Sequence, residues 1–521
     1  MSKLNTARQK RKISATIATQ HPDNASAPSW GASPFISTHD EVEECYRVFS
    51  ELGCDEYMWD WEGKFVDEAV IDRLFNLYPD YFSKHQIGRD KLLTFRIPNI
   101  SQESGFRLAR SYMTLITAAH TAHEHKVHFP PIFEAILPMT SSVEQLISVH
   151  RKYLKALQFE KAIFDKALMN PTDLEVIPLI EGTASLIQSR QILKDYLVAY
   201  EDIFGFKPSY LRPFIARSDP ALDAGYLAAV LSARGAISEY YRFQEETHIP
   251  VYPMIGVGSL SFRGGLSPLT IDRFLKNYAG IRTVTIQSAF RYDYPAEIVK
   301  QAIQKLNTKL PQLKAKIFNK NEILEITELD HFFSSFYRPV IMDLSETIRE
   351  FAKFIPTHRE RIQHTGHFGY SRKMGNKTAL PRAITFSAIF YSLGVPPALI
   401  GTGRALRALK KSKKKSFEAL IKKYFPTLEE DLVEMGAYMN WENIKLLMKQ
   451  NSAWKYVQED ILWIEEFLGK RVVPEKPEEF IHRNLTSNIY QMWQQSKKSQ
   501  IDIKEVKAEV LRAAKVRRSI G

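Results

Sequence analysis

The chain has 521 residues, of which 44% are hydrophobic and 25% charged, a texture that excludes a disordered, collagen-like or coiled-coil protein. Its formal charge is +12, from 71 Lys+Arg against 59 Asp+Glu. Residues 3–12 and 404–415 hold twelve cations that equal this whole excess, so the rest is near neutral and no nucleic-acid partner is expected.

In chain order, short apolar runs alternate with longer segments of helical spacing. The runs are Ile13–Thr19, Asp55–Trp61, Leu92–Ile97, Ile132–Leu137, Leu174–Ile180, Tyr210–Ala216, Ile249–Gly256 and Thr283–Gln287. Between them lie amphipathic stretches such as Ser142–Ala156 and Leu222–His248. Near-continuous apolar strands suit a parallel sheet covered by helices, and eight such units favour an α/β fold of the (β/α)8 TIM-barrel type. The segment Ile384–Ile400 is apolar but broken by Thr385, Ser387, Ser392, Gly394, Pro396 and Pro397. It reads as a buried helix plus turn, with no membrane span. Segments 416–424, 428–449, 453–468, 476–495 and 501–518 read as helices. The expected division is therefore a barrel over 1–405 with its active-site loops, and a helical region over 406–521 packing on the barrel or on a second subunit. Cys45 and Cys54 are the only cysteines and no apolar leader stands at the start, so a cytoplasmic location is expected.

In a barrel of this type the reactive groups sit where strands end. His21, Arg96, Glu181, Arg217, Asp219, Gln287 and Arg291 all end or follow such runs. Glu181 and Asp219 are carboxylates on neighbouring strand ends, and hard oxygen ligands of this kind suit Mg2+ or Mn2+. A carboxylate paired with arginine, or a helix cap at Asp219, fits the same spacing. The loop Gly256–Gly265 has four glycines and one arginine in ten residues. It reads either as an anion loop in which Arg263, Gly264 and Gly265 take part, or as a surface turn. Arg372, Lys373, Lys377 and Arg382 crowd residues 366–382, giving cations for a phosphate and a carboxylate unless the loop is simply solvated. His120, His123, His125 and His128 lack the H-E-x-x-H arrangement of a zinc site.

The combination resembles phosphoenolpyruvate carboxylase, in its short archaeal-type form. Thr19-Gln20-His21-Pro22 is similar to the family's T-x-H-P with its catalytic histidine. Pro178–Leu186 is similar to the strand end P-L-F-E-T-x-x-D-L, whose glutamate binds the metal. Ser218–Gly225 is similar to S-D-S-x-K-D-A-G, whose first aspartate is the second ligand, although Leu222 replaces the lysine. Gly256–Gly265 resembles the glycine- and arginine-rich loop G-R-G-G-S-x-G-R-G-G. Ser371-Arg372 with Pro381–Ile384 resembles the S-R…L-R-A-I pair of anion-binding arginines. Arg96 matches the strand arginine of D-x-R-Q loosely, and Gly521 matches a terminal glycine. Ile255 and Val257 stand where the long bacterial and plant form has a histidine and an arginine.

This resemblance implies carboxylation of phosphoenolpyruvate by bicarbonate, with Mg2+ or Mn2+ on Glu181 and Asp219, to give oxaloacetate and phosphate. His21, Arg263, Arg372 and Arg382 would be catalytic. Arg96, Arg217, Gly264, Gly265 and Gln287 would bind substrate. A homotetramer is also implied. Two other readings remain open at this point: another metal-dependent barrel enzyme acting on oxo-acids, and a polyanion-binding protein using residues 404–415.

Overall fold

The computed structural model describes residues 12–99, 105–360, 372–374, 378–413 and 415–521, without the side chains of 372–374 and 378–379. Eight strands close a parallel barrel: β1 (Thr16–Thr19), β2 (Glu56–Asp60), β3 (Leu92–Arg96), β4 (Glu134–Leu137), β5 (Glu175–Ile180), β6 (Phe214–Ala216), β7 (Met254–Gly256) and β8 (Thr283–Ile286). Closure is by β8 on β1, with Ile17 opposite Thr285. Each strand falls inside one of the eight apolar runs.

Two side-chain sets explain why those runs are apolar almost throughout. Ile17, Met58, Ile136, Ile177, Leu179, Phe214, Ala216 and Met254 fill the barrel's inside. Their neighbours of opposite parity, such as Ala18, Tyr57, Trp59, Ala135, Val176, Ile215 and Ile255, pack outward in the larger cluster with the surrounding helices. Both faces of every strand are covered, so hydrophobic alternation disappears from the sequence.

A third cluster joins the C-terminal helices into one core. It includes Phe386, Ile389, Leu432, Trp454, Ile461, Trp493 and Val510. It also draws in Phe333, Tyr337 and Ile341 of the helix Lys320–Asp343, so the helical layer begins well before residue 406. The division at 405/406 falls inside the helix Thr402–Ser412.

Several helices differ from the sequence reading at their ends. The segment 428–449 is two helices, Leu428–Gly436 and Trp441–Gln450. Asn440 divides them: its side chain accepts from the amides of Glu442 and Asn443, capping the second helix. The stretch 222–248 is likewise broken, at Gly225, into Ser218–Ala224 and Tyr226–Thr247. Gly225 takes φ +87° against the ring of Tyr337, where any side chain would collide. Residues 383–400 form a helix, Ala383–Ser392, and a 3-10 turn, Pro397–Leu399, both buried. Among the described residues no single helix is long and apolar enough to cross a membrane.

Candidate active site

The C-terminal strand ends surround a cavity of about 250 Å3. His21 after β1, Arg96 of β3, Glu181 after β5, Asp219 after β6, Arg263 and Gln287 all line it, and Arg382 closes it from the helical side. With Arg217, which also lines it, eight of the residues expected from sequence therefore meet in one place.

Parity decides which side chains reach it. Arg96 shares the inward face of β3 with Thr94, Glu181 continues the inward series of Ile177 and Leu179, and Gln287 follows Thr285. Arg217 has the opposite parity to Phe214 and Ala216. It borders the cavity, but its guanidinium is fully buried and committed elsewhere. Nε donates to the Tyr278 hydroxyl at 2.8 Å and Nη1 to the Phe262 carbonyl at 3.2 Å. Arg217 thus lines the cavity and at the same time braces the loop 256–265.

Arg96 sits in a carboxylate frame. Nε and Nη2 donate to Asp60 at 2.8 and 2.6 Å, and Nη1 lies 2.9 Å from Glu62. Glu62 in turn accepts from Arg382 Nη2 at 3.0 Å. Burial raises the pKa of Asp60, but Arg96 outweighs it and holds the carboxyl well below the usual range. The charge on Arg96 also interacts with Glu181. Across the cavity, Arg263 is almost wholly buried. It donates to Asp23 at 3.1 Å, to Gln287 at 2.6 Å and to the Gly521 carbonyl, and its charge interacts with Asp219. His21 Nδ1 lies 2.9 Å from the Thr19 hydroxyl. That contact orients the ring at the end of the first strand.

The loop 256–265 is a folded part of the wall. Residues Ser261–Arg263 form a 3-10 turn, and Gly264 follows with φ +117°. The amides of Gly258, Gly264 and Gly265 donate to carbonyls within the loop. Gly264 and Gly265 are not among the residues lining the cavity. Both amides are thus spent inside the loop rather than on substrate as expected, and at Gly264 a side chain would run into Val257. Arg372 lies on the short strand Arg372–Met374, paired with Thr378–Leu380. Its side chain, and residues 361–371 and 375–377, lie outside the described residues.

Sequence reading passed over several participants. Asp60 and Glu62 hold Arg96 and Arg382; Asp60 ends β2 and carries the same strand-end signal as Glu181. Arg359 lines the cavity from the segment after Ala352. It donates to Glu41 at 2.8 Å and to both oxygens of Glu44 at 2.7 and 2.8 Å. No periodicity marks that segment. Outside the cavity, His120 of the histidine group pairs with Glu160 at 3.0 Å.

The donor set fits a divalent cation. Glu181 and Asp219 follow β5 and β6, which pair directly through Leu179–Phe214 and Ile180–Ile215, and both are half-buried on the same cavity wall. Among the described residues no group of three or more His, Cys, Asp or Glu side chains is arranged to hold a metal by itself. Two carboxylates lining one cavity suit an ion whose remaining positions go to water and substrate oxygens.

The family model for phosphoenolpyruvate carboxylase matches residues 13–521. The chain belongs to the phosphoenolpyruvate carboxylase family. The phosphoenolpyruvate carboxylase of Leuconostoc mesenteroides is 41% identical over 484 residues, which covers 92% of this chain and 95% of that one. The archaeal phosphoenolpyruvate carboxylase of Metallosphaera sedula is 37% identical over 529 residues, covering 98% and 100%. That of Pyrococcus abyssi is 38% identical over 399 residues, covering 75% and 82%. Membership makes the chain an enzyme of a family that acts on small-molecule substrates.

Proposed function

We propose that this enzyme joins bicarbonate to phosphoenolpyruvate, giving oxaloacetate and inorganic phosphate, with Mg2+ or Mn2+ held by Glu181 and Asp219. One observation carries the reading: those two carboxylates share a single cavity with Arg96, Arg263, Arg382 and His21. When bound, the cation supplies a Lewis acid for the substrate oxygens and for the negative charge of an enolate.

The protein's own groups do the rest. Arg263 and Arg382 clamp the phosphoryl oxygens as bicarbonate attacks phosphorus; the family resemblance assigns Arg372 to the same role. The P–O bond to the enol breaks, leaving carboxyphosphate and the enolate of pyruvate. His21 takes the carboxyphosphate proton, phosphate leaves, and the CO2 released is captured by the enolate carbon. Asp60 and Glu62 fix Arg96 and Arg382, so these cations are in place before the substrate arrives. Water must be kept out while the enolate exists, or it is protonated to pyruvate. The buried 3-10 turn of residues 261–263 and the helix starting at Ala383 serve as walls. We further propose a homotetramer, which sedimentation at micromolar concentration would test by its mass.

His21→Asn tests the sequence of steps. Carboxyphosphate would still form, but its decarboxylation would lack a base. Phosphate release should continue in a bicarbonate-dependent way, pyruvate should replace oxaloacetate, and oxaloacetate formation should fall by about a hundredfold or more. A coupled oxaloacetate assay run beside a phosphate assay reads both. A folded variant making oxaloacetate at the normal rate would exclude His21 as the base.

A further inference from the structure

Asp23 stands two residues after His21, is fully buried, and is not among the residues lining the catalytic cavity. Each of its polar atoms is used within the protein. Its amide donates to the His21 carbonyl at 3.1 Å, closing a three-residue turn with Pro22 at the centre. Its carboxylate is divided between two segments. Oδ1 accepts from the amide of Ala289 at 2.8 Å, in the short helix that follows Gln287, and Oδ2 accepts from Arg263 Nη1 at 3.1 Å. Its carbonyl accepts from the amide of Ile520 at 2.8 Å and from the hydroxyl of Ser519 at 3.1 Å. One residue therefore ties together the segments that bear His21, Gln287 and Arg263, and all three of those side chains line the cavity.

Among the described residues Asp23 is the only carboxylate within ion-pair distance of Arg263, and Asp219 acts on it from farther off. The other bonds of Arg263 go to neutral oxygens: Nε to the Ser218 hydroxyl at 3.3 Å, Nη2 to Gln287 at 2.6 Å, and Nη1 to the Gly521 carbonyl. Burial lowers the pKa of Arg263, with Asp23 the strongest opposing influence, and raises that of Asp23, with Arg263 the strongest. Each group thus needs the other to stay charged where it is. Taking the charge from Asp23 leaves a buried guanidinium without the anion that fixes its orientation.

We propose that Asp23 is a positioning residue for both halves of the reaction: it sets Arg263 for phosphoryl transfer and, through the turn it closes, His21 for the proton transfer that releases CO2. The inference rests on the roles given above to Arg263 and His21. The two steps follow one another in one cavity, so carboxyphosphate made against Arg263 must already lie in reach of His21. These side chains come from opposite ends of the barrel sequence, after β1 and after β7, and Asp23 is the direct link between their segments. A misplacement of about 1 Å at either one costs on the order of a hundredfold in rate. Asp293 supplies a second tie for the same loop. Its carboxylate accepts from the amide of Ala25 at 2.8 and 3.0 Å and from that of Ser26 at 2.6 Å. The loop therefore stays docked on the helix Ser288–Tyr292 when Asp23 is changed.

The test is Asp23→Asn, which keeps the shape and removes the charge. Phosphate release and oxaloacetate formation are measured side by side on the full chain. The variant should release phosphate about tenfold or more slowly. A smaller fraction of its turnovers should end in oxaloacetate, with pyruvate making up the difference. That fraction does not depend on how much of the sample is folded, so a purely structural role would leave it at the wild-type value, and an unchanged fraction would overturn the proposal. Asp23→Ser, which cannot overfill the space, should show the same fall if Asp23→Asn does not fold. Crossing Asp23→Asn with Arg263→Lys tests the route. If Asp23 acts on phosphate release through Arg263, the double variant should be at most about twofold slower than Arg263→Lys alone. A double variant slowed by the product of the two single effects would overturn that route. The single variants tell this failure from a failure of the roles beneath it. Normal phosphate release by Arg263→Lys, or a wild-type product fraction in His21→Asn, would overturn those roles and the proposal with them.

Discussion

The barrel carries an arginine between two carboxylates at each end, and the two groups differ in what surrounds them. At the bottom, Arg212 bonds both oxygens of Glu56, at 3.1 and 2.8 Å, and one of Glu134. Ser14, Thr94 and Tyr210 donate to the same carboxylates. All of these groups are buried or nearly so, and every carboxylate oxygen is used within the protein. At the top, Arg96 stands between Asp60 and Glu62, but this group faces a cavity that also holds Glu181, Asp219, Arg263 and Arg382. One strand, β2, supplies an acid to each end: Glu56 below and Asp60 above. Residue type alone therefore does not separate a structural plug from a chemical site. The space left beside the charges does.

If that contrast is right, substitutions at the two ends fail in opposite ways. Glu181→Gln and Asp219→Asn remove an anionic ligand at constant volume. Each should lower carboxylation by about a thousandfold, equivalent to ~4 kcal/mol, while the thermal midpoint stays near that of wild type. Turnover by both at ordinary Mg2+ would break the assignment. Arg212→Met does the reverse: Glu56 and Glu134 lose their counter-charge in a buried place, at a cost of about 3–5 kcal/mol in stability. The fraction that remains folded should carboxylate normally. Denaturant titration beside the oxaloacetate assay separates the two effects, and a stable but inactive Arg212→Met would show that the bottom plug shapes the chemistry after all.

How far the sequence disclosed this site follows from which side chains obey local rules. All eight strands were legible because each is a short apolar run bounded by polar residues. His21, Glu181, Asp219 and Gln287 were legible because strand ends are local features, and the family motifs mark the first three. Arg217 and Arg263 look alike in sequence and both line the cavity, but Arg217 braces the loop through Tyr278 and Phe262 while Arg263 bonds Asp23 and Gln287. Asp60 was open to the strand-end argument and was missed because the run was read through to Trp61. Arg359 was not legible at all: it reaches Glu41 and Glu44 from more than 300 positions away, and only the folded chain brings them together. The break at residues 437–440 belongs to the same class, since the side chain of Asn440 also donates to Arg483, Thr486 and Ser487.

Glu44 sharpens the contrast between the two ends, because it lies behind the upper site and is nevertheless closed like the lower plug. It accepts from Arg359, from Arg291 at 2.9 Å, from Tyr57 at 2.6 Å and from Tyr292 at 2.7 Å. Burial by itself would raise its pKa; Arg359 and then Arg291 reverse this and bring it down from 4.5 to about 2. A carboxyl depressed in the folded state stabilises the fold at every pH above its unfolded value, and that contribution disappears as the pH falls through the folded value. The full contribution is about 3 kcal/mol. It is present above pH ~4.5, and roughly 2 kcal/mol of it is gone by pH 3. Glu44→Gln keeps the shape and lacks the titration. Urea unfolding at pH 5.5 and pH 3 should therefore show the stability gap between wild type and variant narrowing by about 2 kcal/mol. Arg359 lines the catalytic cavity, so activity should decline in the same acid window, reversibly, if the pair positions that wall. Parallel stability curves for the two proteins would mean that Glu44 titrates alike in the folded and unfolded chains, and that the wall behind the site does not depend on its charge.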